Sequence, residues 1–223
     1  MRCVIQITVV LILGFAFSRN TLAGKEPSPP QAQATPIPLS NVAFEAQAAL
    51  ESLREIDEKL SKIQSSTAAV TASLSSLTDE IGPRMAEDSR LLRASPPLDI
   101  LYRIKLTWLD LGDLLSALVR ELTLDAKSLE EELARLDQLD KAWQATLELA
   151  KQRDTPLPAL QSVQSIVDSI ERTRQLVESA RAEVLTILSR LSDEETGVRR
   201  TLSLAQVSAE NGKNKLANRS RHK

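Results

Sequence analysis

From Ala46 to Ile81 the chain repeats a single pattern: Ala46, Ala49, Leu53, Ile56, Leu60, Ile63, Thr67, Val70, Leu74, Leu77 and Ile81, in alternating steps of three and four. Thr67 is the only polar member. A seam this regular, sustained over five heptads, specifies a long amphipathic helix. Such a helix has one narrow apolar stripe, and it can hide that stripe only against other stripes.

Two further stripes follow. The second lies between about residues 98 and 153, with Leu101, Ile104, Trp108, Leu111, Leu115, Leu118 and Leu122. After a one-residue slip it continues through Ala126, Leu129, Leu133, Leu136, Trp143, Leu147 and Ala150. A slip of this kind is a stutter, which locally unwinds a supercoil. The third runs from about 157 to 210 through Ile166, Ile170, Thr173, Val177, Ala180, Val184, Ile187, Leu191, Val198 and Leu202. Ser95-Pro96-Pro97 and Asp154-Thr155-Pro156-Leu157-Pro158 separate the three. Within the first, Gly82-Pro83 is expected to kink the helix, because proline lacks the backbone donor and crowds the preceding turn.

The predicted fold is therefore all-α: three long helices, about 40–94, 98–153 and 157–210, running up-down-up in an elongated coiled-coil-like bundle. Each would be roughly 80 Å long at 1.5 Å per residue. Short connections between helices of equal length favour antiparallel neighbours. A helix pair that dimerises would also bury the stripes; the monomeric bundle is the first choice. Composition agrees, since aromatics are only 3% against 42% hydrophobic residues, too few for an ordinary compact globule.

The two ends read differently. Arg2, the apolar stretch Val4–Phe17 and Thr21-Leu22-Ala23 read as an export signal over residues 1–23, cleaved after Ala23. The stretch falls short of the ~20 residues that cross a bilayer comfortably. An uncleaved N-terminal anchor is the alternative, and either way the rest would lie outside the cytoplasm, in the periplasm. Residues 24–39, with Pro27, Pro29, Pro30, Pro36 and Pro38, read as a disordered spacer. Residues 211–223 lack periodicity and carry Lys213, Lys215, Arg219, Arg221 and Lys223, a basic tail expected to be disordered. The body between Lys25 and Glu210 is acidic, with 21 basic against 30 acidic residues. That balance argues against nucleic acid as a partner. It also argues against the helices' polar faces as a lipid-binding surface.

Residues for catalysis are scarce. Cys3 lies in the signal and His222 in the tail, so the expected mature chain has no metal-ligand set and no activated nucleophile. The six glycines form no phosphate-cradling loop. Neither a cofactor nor a small-molecule substrate is expected, and the chain reads as no enzyme. Asp140 and Glu194 fall where the seam wants an apolar residue, marking a hydrated turn or register break. Asp137 and Glu195 beside them, and Glu130, Glu131 and Glu132, are expected to face solvent. Arg172, Arg174 and Arg181 lie near the seam edge, their stems covering apolar surface while the guanidinium reaches solvent or an acid on the first or second helix. Trp108 and Trp143 fill wide gaps of the seam, or alternatively anchor a protein partner, as exposed tryptophans do at interfaces.

Some landmarks carry a resemblance. The run from Leu136 to Ala150 around Trp143, then Pro158-Ala159-Leu160, Val163, Ile170, Arg172, Arg181 and Val184-Leu185, with Trp108 upstream, resembles the periplasmic helical region of long small-conductance-type mechanosensitive channels. It would cover roughly Asn41 to Leu204. It implies a non-enzymatic sensor region, from a truncated channel or a free-standing relative, that meets a protein partner in the cell envelope, either itself or a membrane channel. The membrane helices, pore helix and vestibule of such channels are not in this sequence. The alternative, motivated by the five unbroken heptads and the acidic surface, is a stand-alone periplasmic coiled-coil scaffold, adaptor or holding chaperone.

Overall fold

The structure, a computed structural model, describes residues 35–94, 96–153 and 155–221; the segment expected to be an export signal and most of the expected spacer lie outside these residues. A 3-10 turn at Leu39–Asn41 leads into α1 (Val42–Arg93), followed by α2 (Leu98–Gln152) and α3 (Leu157–Arg221). Among the described residues there is no strand.

The prolines punctuate the helices as expected. Pro97 holds an extended backbone at the entry to α2, and its carbonyl accepts the Leu101 N–H. The Pro156 carbonyl does the same for Ala159 and Leu160 at the start of α3. The end of α1 is closed by the Ala94 N–H, which turns back onto the carbonyls of Arg90 and Leu91. The turn before α1 places the N-cap position at Asn41, which makes no side-chain capping bond. Pro83 lies inside α1 and the helical run passes through it.

Side-chain partners fix the directions. Along α1 and α2, Arg135 reaches Glu55, Lys59 reaches Glu132, Ser66 reaches Glu121, and Asp88 meets Trp108. Numbers rise on one helix as they fall on the other, so the pair is antiparallel. Asp140 with Arg174, Glu130 with Arg181, and Ser116 with Glu195 give the same relation for α2 and α3. Helices α1 and α3 are then parallel, in line with Thr78 bonding Glu194. The chain folds up-down-up.

The seam of α1 is buried as the spacing requires, with Val42 added at its start and Leu77 only partly covered. On α2, Leu118 and Leu133 are partly covered, and Thr146 joins the core by donating its hydroxyl to the Ala142 carbonyl. Near the end of α3 the buried positions are Val198, Thr201, Ala205 and Ala209. The register there is one residue earlier than Leu202 implies.

Both ends of the bundle extend further than composition indicates. The Ile37 N–H donates to the Thr146 hydroxyl at 2.8 Å, and Ile37 and Leu39 pack on the core. The last residues of the spacer are thus docked. The expected disorder from residue 211 is corrected as well, because α3 continues through Gly212 to Arg221. Glycine at 212 brings α3 against α2: a Cβ there would lie 2.9 Å from Leu98 Cδ2. One residue on, Lys213 Nζ sits 5.3 Å from the centre of the Tyr102 ring, a cation–π contact. Lys, Leu, Ala and Arg in this stretch are sound helix formers, and that propensity operates without an apolar stripe.

Candidate interaction groove between the first two helices

Trp108 and Trp143 are both core residues, 0% and 1% exposed. Neither ring is open to a partner in this conformation. The indole of Trp108 does have an outward link. Its Nε1–H donates to Asp88 Oδ2 at 2.8 Å, which satisfies the polar edge that a buried tryptophan must otherwise leave unpaired. Asp88 went unnoticed in the sequence, although a seam tryptophan calls for an acceptor on a facing helix.

Above that bond lies a groove of about 210 Å³ between the late part of α1 and the early part of α2. Arg84, Glu87, Asp88 and Leu91 line one wall, and Ile100, Arg103, Ile104 and Thr107 the other. It is smaller than the roughly 300–1,000 Å³ of sites that enclose a whole small molecule. One or two side chains of a protein partner would fill it. Arginines and carboxylates stand on its rim, over an aliphatic floor at Ile104. Arg84 pairs with Glu80 at 2.7 Å.

Further along the same helix pair lies a polar layer. Glu132 is buried rather than solvated; Glu130 and Glu131 face outward as expected. Lys59 Nζ lies 2.7 Å from Glu132 Oε1, and Arg135 Nη1 lies 3.9 Å from Oε2. Arg135 also bonds Ser52 and reaches Glu55 at 3.1 Å. Two helix-turns towards the groove, the Ser66 hydroxyl bonds Glu121 at 2.8 Å and Asp125 at 3.3 Å. Burial pushes the Asp125 carboxyl above its ordinary range, the Ser66 bond opposes this, and neighbouring Glu121 adds to it.

The seam acids have partners. Asp140 lies 3.5 Å from Arg174, and Glu194 accepts a long bond from Thr78. Glu195 does not simply face solvent: it is largely covered and accepts from Ser116 at 2.8 Å and Arg199 at 2.7 Å. Asp137 is exposed and paired with Lys141. Arg174 and Arg181 reach acids on α2 as the sequence implied, whereas Arg172 bonds only its own helix. Among the described residues no group of three or more His, Cys, Asp or Glu side chains is placed to hold a metal ion, and no helix is long and apolar enough to cross a membrane.

No protein family, no curated protein and no solved structure matches the chain.

Proposed function

We propose that the chain is a non-enzymatic helical interaction domain of the cell envelope, exported by its N-terminal segment and working through contact with a protein partner. The groove between α1 and α2 carries this reading. The bundle's apolar stripes are consumed by one another, and the groove joins an apolar floor to a charged rim of both signs, the make-up of a small anchoring pocket at a protein interface. In the form that the channel resemblance suggests, the partner is a mechanosensitive membrane channel or a second copy of the same chain, and the bundle serves as a sensor region.

A photo-reactive residue in place of Arg103, in intact cells, tests the proposal together with fractionation. A discrete crosslinked partner in the envelope fraction is expected, and the crosslink should weaken when Leu91 is replaced by Asp. Recovery of the chain in the cytoplasmic fraction, or a crosslink pattern unchanged by Leu91→Asp, would count decisively against it.

A second reading, a free-standing scaffold or holding chaperone, is favoured by the exposed leucines Leu106 and Leu124 on α2. It predicts many soluble crosslinked clients instead of one.

A further inference from the structure

The buried seam of α1 stops short of the helix end. Among the described residues of α1, none after Ile81 is buried. The next two residues are Gly82 and Pro83, both exposed. Pro83 has no N–H to offer the Asp79 carbonyl, and its ring crowds that same carbonyl. A Cβ at Gly82 would meet nothing within 4 Å, so packing does not call for this poor helix former. The two residue types that weaken a helix most thus stand together where its burial ends.

Beyond them, residues 84–93 lie over a core built mainly by α2 and α3. Ile104 and Trp108 are buried on the first, Val198 and Thr201 on the second. The segment has few holds on that core. Met85 and Leu92 are partly buried, and Leu91 is exposed. Met85 reaches α3 by its flexible tip, which lies 3.0 Å from where a Gly197 Cβ would stand. Asp88 bonds the Trp108 indole, and the groove separates much of the remainder from α2. Sparse apolar burial of this kind marks a segment that opens at low cost. Its far end has slack as well. From Arg93 to Leu98 the chain can span ~17 Å when extended, against about 10 Å between the axes of packed helices. Pro96 and Pro97 lie in that connection and prevent α1 and α2 from fusing into one stiff helix.

We propose that residues 84–93 form a strap that lifts off α2, turning at Gly82-Pro83 and at Pro96-Pro97, and latched shut by Asp88 on the Trp108 indole. Lifting uncovers Trp108 and deepens the groove onto it, while Val42–Ile81 stays packed. Hinges of this kind absorb a change of backbone angle at a few residues and leave the elements on either side intact. The device belongs to the fold itself, and it rests neither on the envelope reading nor on a partner in the groove.

The test uses the full chain with Cys3 changed to Ser and spin labels on two pairs of exposed positions. One pair, Glu87→Cys with Arg103→Cys, spans the groove; the other, Glu58→Cys with Glu131→Cys, spans α1 and α2 at mid-bundle. Electron paramagnetic resonance should give two distance populations for the first pair, the longer by several ångström, and one for the second. Asp88→Ala should enlarge the longer population several-fold, and Gly82→Ala with Pro83→Ala should shrink it several-fold. In a Trp143→Phe chain, where Trp108 is the sole tryptophan, Asp88→Ala should also raise acrylamide quenching several-fold. Circular dichroism verifies that each variant keeps its helices; if one does not, the two label pairs in the otherwise unaltered chain decide. A single population across the groove overturns the proposal. So do two populations at both pairs, since α1 then leaves as a whole, and a longer population that ignores the substitutions at 82 and 83. Quenching of Trp108 that Asp88→Ala does not move overturns the latch.

Discussion

Helices α2 and α3 approach one another far more closely than either approaches α1, and α1 stands nearer to α3 than to α2. Side-chain size explains the contrast. Gly112 on α2 faces Val198 on α3, and Ala126, Ala150, Ala180 and Ala205 are buried on the same two helices. Small residues let helix backbones draw together. Across α1 and α2 the links are long arms instead: Lys59 to Glu132, Arg135 to Glu55, Asp88 to the indole of Trp108. A wide helix pair leaves space at its surface, and the candidate groove lies in that space. Close packing joins α2 to α3, while stand-off packing leaves the surface space between α1 and α2.

The largest break in this contrast should come from Trp108→Ala. It removes the biggest filler of the wide gap and leaves Asp88 without its indole donor, at a cost of about 3–5 kcal/mol, read from urea unfolding. An equal loss from Ala180→Gly on the close pair would overturn the size argument.

Lys59→Met should cost less, about 1–3 kcal/mol, because it strands the covered Glu132 carboxylate next to a more distant Arg135. The double variant Lys59→Met with Glu132→Leu should recover most of that loss in thermal melts. Failure to recover would show that the pair holds α1 in place by something other than charge matching.

Gly112→Ala sharpens the comparison from the other side. The new methyl would meet Val198 Cγ1 at 3.6 Å, an ordinary contact, so the helix-propensity gain of up to ~1 kcal/mol should appear as added stability. A bulkier Gly112→Leu must push the hairpin apart, and the groove with it.

The smallest effect concerns pH. Asp125 holds its proton more tightly folded than unfolded, since burial raises its pKa. Its contribution therefore favours the fold at pH below the ordinary carboxylate value and fades as pH rises through the raised folded value. Asp125→Asn should stabilise slightly at neutral pH, by under about 0.5 kcal/mol, with no gain in acid. A larger gain at low pH than at neutral pH would contradict that sign.

Ala46 through Ile81 shows how far sequence reaches. Steps of three and four follow from the pitch of a helix, so the stripe could be read without knowing what covers it. The prolines fixed where each helix begins because their ring and missing donor act locally. Glu132 shows the limit. It sits in a run of three glutamates that looks uniformly solvated, and only the arrival of Lys59 from α1 makes one of them a buried residue. Asp88 and Gly212 were illegible for the same reason: each matters through a residue on another helix. The apolar seam is periodic, whereas these contacts are single events.

The sequence alone determined that this protein is three helices, where they break, and which edge of each is apolar, because helix pitch and proline sterics are properties of neighbouring residues. The tertiary structure decided which helices draw close, which stand apart, and where a groove appears. Those depend on side-chain sizes meeting across helices, a distance that no local pattern encodes.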